Sequence, residues 1–283
     1  MVYTRSTTDN SPVASCDVEE FHHTNNKRTP ANAAASRKYN PNIIENELEA
    51  LGPTSYSGPK YTTERFVELV KNNNTQIISL LHVGEDSLIK TLDFCPANET
   101  NLISILEGGE RCDGSSIFPN SGIEASSSDI VLRPRLDTAF FDPFAPTPKS
   151  VLCFFCWHYG TDGHLLPQSP ETIIHRAEEE LLKEGHILWS HGEIEFFLGK
   201  KVINRLENGL LGSDHGYHAA APYVFGQDLR REAIAILARI GVHVKYGHSE
   251  NAYIPADQTD PITWEQHEVS YRHFVTLKFP PIY

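Results

Sequence analysis

From about residue 60 onward, apolar positions recur with two alternating spacings, whereas the residues before it show neither. Phe66, Leu69 and Val70 fall at helical spacing behind the cap-type residues Thr62 and Thr63, which predicts a helix reaching about Lys71. Gln76 to His82 and Thr91 to Phe94 read as short strands separated by the turn-like Gly84-Glu85-Asp86. From Glu107 to Phe144, glycine-rich turns alternate with apolar runs such as Ile130-Val131-Leu132 and Ala139-Phe140-Phe141, the pattern of a small mixed sheet domain. Pro146-Thr147-Pro148 suggests a boundary, and the run Val151 to Trp157 reads as the next strand.

The second half carries stronger helix signals. Ser169 is placed as a cap, Pro170 takes the first helical position, Glu171 sits in the first turn, and Gly185 follows Lys183 at the far end. Strands are expected at His186 to Trp189 and at Ile194 to Leu198. Asp228 to Ile240 is expected to form an amphipathic helix with Leu229, Ala233, Ile236, Leu237 and Ile240 on one face, ending at Gly241 before a strand from Val242 to Tyr246. The mixture predicts an α+β protein. Residues 1–58, rich in Asn, Ser, Thr, Pro and Ala, read as a tail that cannot bury enough apolar surface to order itself.

Composition narrows the partners. A formal net charge of -13 with no dense basic patch argues against nucleic acid and anionic lipid surfaces. No run approaches the ~18–20 apolar residues of a membrane span. The first residues lack the layout of a secretory signal, and Asp9, Asp17, Glu19 and Glu20 argue against a transit peptide, so a cytoplasmic location is expected. Of five cysteines only Cys153 and Cys156 form a close pair. With His158 they suggest half a zinc site, but no second pair exists and the surrounding run is apolar, which favours buried thiols.

Candidate chemistry begins at Glu193-Ile194-Glu195-Phe196-Phe197-Leu198, where two carboxylates share one face of a strand and apolar residues the other. Acids on one face suit a hard cation, though an ordinary solvated strand face has the same pattern. Glu250 and Glu268 are further candidates that spacing alone does not link, and each by itself reads as a solvated surface acid, since most glutamates are exposed and unliganded.

The order of several short motifs carries a more specific signal. Cys112-Asp113-Gly114-Ser115-Ser116-Ile117 is followed by Ser128-Asp129-Ile130-Val131-Leu132-Arg133-Pro134 and Asp142-Pro143-Phe144. Then come Gly192-Glu193-Ile194-Glu195-Phe196-Phe197, Gly216-Tyr217, Asp228-Leu229-Arg230-Arg231-Glu232, His248-Ser249-Glu250 and Gln266-His267-Glu268. Over roughly residues 60 to 275 this series resembles class I glutamine synthetases. The resemblance implies a β-grasp amino-terminal domain at 59–147, followed by a partial catalytic domain at 148–283. It also implies a ring-shaped homo-oligomer in which one subunit's β-grasp domain completes its neighbour's site. The implied reaction joins ammonium to glutamate with ATP through γ-glutamyl phosphate, assisted by Mg²⁺ or Mn²⁺. By motif match, Glu195, Glu250 and Glu268 would hold the first metal and Glu193 would serve the second. Asp113 and Ser116 match the loop that binds and deprotonates ammonium, and Tyr217 matches a tyrosine near that pocket. Without the family context, Asp113-Gly114 reads as a plain turn and Tyr217 as a packing residue.

The chain also departs from the family pattern. Gly192 stands where the family usually has proline, and the residues around Pro255 to Trp264 lengthen the interval between Glu250 and Glu268, either looping out or displacing Glu268. The family's later histidine, flap and arginine motifs have no counterpart before Tyr283, so this chain alone is expected to be incomplete as an enzyme. Two alternatives follow: a non-catalytic relative that binds metal or assembles with a full-length partner, and a ligase of the same family that joins glutamate to another amine.

Overall fold

The computed structural model describes residues 61–186, 190–202, 216–257 and 259–273, all within one compact unit. The expected tail at 1–58 and most of the expected strand at 186–189 lie outside the described residues. Helix α1 (Thr63–Asn73) starts where Thr62 Oγ1 accepts the Arg65 N–H, and ends at Asn74, whose positive φ of 51° suits an asparagine. Strands β1 (Ile77–Val83) and β2 (Ile89–Phe94) form an antiparallel hairpin. Helix α2 (Glu99–Gly108) was not anticipated; Asn98 caps it by accepting the Asn101 N–H at 2.9 Å, and Leu102, Ile105 and Leu106 are its buried face. Strand β3 (Glu110–Asp113), the one-turn α3 (Gly114–Ile117), β4 (Asp129–Pro134), the short β5 (Phe140–Phe141) and β6 (Val151–Gly160) follow. At Gly109, between α2 and β3, φ is 82° and a Cβ would lie 2.2 Å from the Leu132 carbonyl oxygen of β4. Glycine is what lets the chain pass there.

These strands form a sheet of order β2-β1-β6-β4-β3, with β5 also against β6. Strand β6 pairs parallel with β1 and antiparallel with β4, so it lies at the middle of this sheet. The boundary expected at 147/148 therefore falls between the paired strands β5 and β6 and does not separate two sheets. Helices α1 and α2 bury Phe66, Leu69, Leu102, Ile105 and Leu106 in one cluster with Ile78, Leu80, Leu132, Leu152 and Phe154. Cys153 and Cys156, three apart on a strand and so on opposite faces, are both buried and free. Burial pushes the Cys153 thiol up to about 12, the environment of an apolar filler and not of a metal ligand.

Helix α4 (Pro170–Lys183) begins as expected, but Ser169 does not cap it with its side chain. The hydroxyl is committed to a buried relay. His82 Nδ1 lies 3.1 Å from His158 Nε2, His158 Nδ1 lies 3.0 Å from Ser169 Oγ, and Ser169 donates to Glu171. The network assigns the protons: Ser169 gives its only one to Glu171, so His158 Nδ1–H donates to Ser169, and His158 Nε2 accepts from His82. Burial, and then the neighbouring His158, lower the His82 pKa from 6.5 to about 4. The unfolded chain therefore takes up a proton first as pH falls. Stability linked to His82 is intact above 6.5 and is lost as pH falls from 6.5 towards about 4. Urea-unfolding midpoints are expected to drop across that window, and to drop less in His82→Gln, which retains a donor and does not titrate. His267 contributes to the same window in both proteins, so an identical drop would exonerate His82.

Strand β7 (Ser190–Lys201), helix α5 (Gln227–Arg239) and strands β8 (Val244–Ile254) and β9 (Ile262–His273) complete the described elements. They give a second sheet of order β7-β9-β8. Helix α5 is rotated from the expected stripe: Arg230 and Ala238 are buried, whereas Leu229 is 53% exposed. The cause is local. Ile234 packs over Gly247, where a Cβ would meet it at 2.7 Å, and Arg230 reaches into the sheet to His267. No helix among the described residues is long and apolar enough to cross a membrane.

Candidate metal centre

Alternation places two different surfaces on the second sheet. Ile194, Phe196 and Leu198 on β7 stand opposite Val269, His267 and Glu265 on β9, and α5 packs over this side. Glu193 and Glu195 share the other face, as the sequence pattern implies. There Glu195 pairs with Glu268, and Glu268 pairs in turn with His248 on β8. Three chelating residues thus form one row across three strands, with the 6% exposed Glu268 at its centre.

Glu250 joins them through an irregularity. Between Ser249 and Tyr253 the β8 register shifts by two residues relative to β9, a bulge that contains Glu250. Bulges re-aim side chains, and here the Glu250 carboxylate comes to 3.5 Å from His248 Nδ1. His248 Nε2 lies 3.7 Å from the Glu268 carboxylate. Ligand atoms of His248, Glu250 and Glu268 all lie within 4.8 Å of one another. Adjacent oxygens around an octahedral Mg²⁺ are about 3 Å apart and opposite ones about 4 Å, so modest side-chain movement would close this set on an ion. The donor set fits a divalent cation, with Glu195 available from the neighbouring strand.

The sequence reading used His248 only as part of a motif and did not place it as a ligand; its register opposite Glu268 becomes visible only once β8 and β9 pair. Glu193 lies one strand repeat beyond Glu195, opposite Ser270 and 3.6 Å from His191 Nε2, and is not part of the cluster. The residues between Glu250 and Glu268 form the β8–β9 hairpin, whose loop is tied by Asp257 accepting the Thr259 and Asp260 N–H groups. They lengthen the paired strands of this hairpin, and Glu268 stands opposite His248. At Gly192, a Cβ would lie 2.2 Å from the Tyr271 ring across the strand pair, which accounts for a glycine there.

Tyr217 is brought to this region by a strap along β8. Ser249 Oγ lies 2.7 Å from the Gly216 carbonyl and 2.8 Å from that of Ala219, and the His218 N–H donates to the Ser249 carbonyl. Tyr217 then stands edge-on to His248 with centroids 5.1 Å apart, and His218 lies 4.4 Å from the same ring.

Asp113 and Ser116 lie elsewhere, at the β3–α3 junction of the first sheet. Asp113 accepts from the hydroxyls of Ser116 at 2.6 Å and Ser115 at 2.7 Å, and from the Ser115 N–H at 2.9 Å. The Ser116 hydroxyl foremost, then those of Ser115 and Ser128, hold this carboxyl well below the usual carboxylate range. It is an exposed anion suited to attracting a cation and, in this arrangement, a weak base.

On the α5 side, Glu265 and His267 form a second buried polar group. Burial raises Glu265 to about 7 although it accepts the Phe225 N–H at 2.8 Å. Burial, followed by the charge of Arg230, lowers His267 to about 4, so its Nδ1 is a neutral acceptor for Arg230 Nη1 at 2.7 Å.

Comparison with known proteins places this arrangement. No family model matches the chain. The glutamine synthetase of Methanococcus voltae is 31% identical over 223 residues, covering 76% of this chain and 46% of that protein. That of Methanocaldococcus jannaschii is 31% identical over 226 residues, covering 78% of this chain and 47% of its own. Among solved structures, Plasmodium falciparum glutamine synthetase superposes with a TM-score of 0.56 at 18% identity, covering 74% of this chain and 44% of that one. Ligand-free GmaS superposes with a TM-score of 0.53 at 10% identity, covering 72% and 44%. The chain spans about half the length of the curated relatives it matches. By this homology over about three quarters of its own length, the chain belongs to the glutamine synthetase family.

Proposed function

We propose that this chain contributes the first-metal half of a glutamate–ammonia ligase site, using Mg²⁺ or Mn²⁺ and ATP, within a homo-oligomer or an assembly with a longer relative. The observation that carries the reading is the row Glu195–Glu268–His248 with Glu250 turned into it by the β8 bulge. Glu195, Glu250, Glu268 and His248 would hold the cation, and Glu193 would serve a second one. When bound, the metal supplies positive charge to offset the phosphate oxygens during phosphoryl transfer. Asp113, kept anionic by its serine hydroxyls, attracts ammonium, and Ser116 fixes its orientation. Tyr217, beside His248, lines the approach to the cation. A β-grasp role for the first sheet puts Asp113 at a subunit boundary, which agrees with its position in a different sheet from the glutamates.

The test is ADP release from the full chain with glutamate, ATP, Mg²⁺ and ammonium, beside Glu195→Ala. Release that requires both glutamate and ammonium and is lost in the variant is the expected result. Release that persists in Glu195→Ala would refute the metal assignment. If wild-type protein binds Mn²⁺ but releases no ADP, ligation by this chain is ruled out and the non-catalytic metal-binding relative becomes the correct reading.

A further inference from the structure

A groove of about 590 Å³ runs between β8 and the first turn of α5, and six of its residues are Tyr217, His218, Gln227, Arg230, Arg231 and Tyr246. Arg230 is only 7% exposed. Removing a guanidinium from water is costly, and proteins ordinarily offset the cost with a carboxylate. Among the described residues none lies within ion-pairing distance of Arg230. Its Nη1 donates to His267 Nδ1 at 2.7 Å, and its Nε is buried without a hydrogen-bond partner. Arg231, one residue on, is mostly exposed and only 3.8 Å from Asp228, a loose surface pair. The first turn of α5 adds the positive end of a helix dipole to both. Beside this uncompensated charge are planar surfaces open to solvent: Tyr217 is 56% and Tyr246 43% exposed, and His218 stacks on Tyr217 at 4.2 Å. A guanidinium fork matches the geometry of an oxyanion, and exposed rings match another ring.

We propose that this groove binds a small aromatic or heteroaromatic ligand through its carboxylate or phosphate group, with Arg230 and Arg231 holding the oxyanion and Tyr217 and Tyr246 flanking the ring. His248 of the cation row also lines this groove, but the oxyanion is held by Arg230 and Arg231 and not by a metal, so binding with a chelator present tests this site separately from the ligase reading.

Benzoate and its uncharged counterpart benzamide are suitable probes, titrated into the full chain by calorimetry with a chelator present. Benzoate is expected to bind, and benzamide to bind about tenfold or more weakly, because a hydrogen bond to a charged partner is among the stronger ones. Arg231→Gln, at an exposed position that should leave folding intact, is expected to weaken benzoate several-fold, and Arg230→Lys to weaken it further. Equal affinity for benzoate and benzamide would overturn the proposal, as would benzoate affinity unchanged in Arg231→Gln. Absence of benzoate binding at millimolar concentration, or binding that disappears when metal is chelated, would overturn it as well.

Discussion

Exchanging Glu268 for glutamine is expected to lower Mn²⁺ affinity by about a hundredfold or more, beyond the roughly 10–100-fold that outer-sphere partners of a metal carry. Within the cluster, Glu268 pairs with β7 and β8 at once, facing Glu195 on one side and His248 on the other. It is also the most buried member of the cluster, so water is least able to replace it. Ser270 donates to it and fixes its orientation. A ligand that binds only the folded chain raises stability by about 2.7 kcal/mol at a hundredfold excess over its Kd. Metal should therefore raise the melting temperature of the wild type and leave that of Glu268→Gln almost unchanged. The sign differs without metal: removing one carboxylate from three close together relieves repulsion, so the metal-free variant is expected to be at least as stable as the wild type. Calorimetric titration with Mn²⁺ and thermal melts with and without it check both parts, with exposed Glu184→Gln as control. Wild-type affinity in Glu268→Gln would remove the cluster as a metal site.

The largest effect on stability is expected at Phe154, where replacement by alanine should cost about 3–5 kcal/mol. Phe154 is fully buried at the middle strand of the first sheet, in register with Leu80 and edge-on to Phe66 of α1 at 5.1 Å. Truncation removes contacts to the helix layer and the sheet together and leaves a cavity that β6, held by strands on both sides, cannot collapse to fill. Against a typical total stability of about 5–15 kcal/mol, such a loss leaves a large share of the variant unfolded at moderate denaturant. Phe144, 77% exposed, provides the contrast, since its alanine variant should stay within about 0.5 kcal/mol of wild type. Equilibrium urea unfolding of both decides the matter. A Phe154→Ala loss no larger than that of Phe144→Ala would mean that α1 and the sheet do not share a core.

Much of the local structure follows from short-range rules. Thr62 as a cap, Pro170 at a helix start, the α5 limits and the opposite faces of Ile194 and Glu195 depend on residues within a few positions of one another. Reading failed where the same signals serve two purposes. Ser169 sits at a cap position but gives its hydroxyl to a buried histidine relay, and Leu229 fits an apolar stripe that Arg230 displaces because it has a partner in β9. Helix α2 has helical spacing at Leu102, Ile105 and Leu106, but with only ten residues ending at Gly108 its periodic signal is short, and packing against the first sheet is what stabilises it.

For the candidate site, sequence by itself determined the family through the order of its motifs, and the shared face of Glu193 and Glu195 through the two-residue repeat of a strand. Tertiary structure decided the rest. Only pairing of β9 between β7 and β8 puts Glu268 opposite both Glu195 and His248, and only a bulge in β8 turns Glu250 towards them. The sheet membership of β6 and the unpartnered charge of Arg230 are likewise invisible in the linear chain. Each depends on which strand becomes a neighbour. That choice is made by hydrogen-bond register and burial summed over residues far apart in sequence, and no local spacing encodes it.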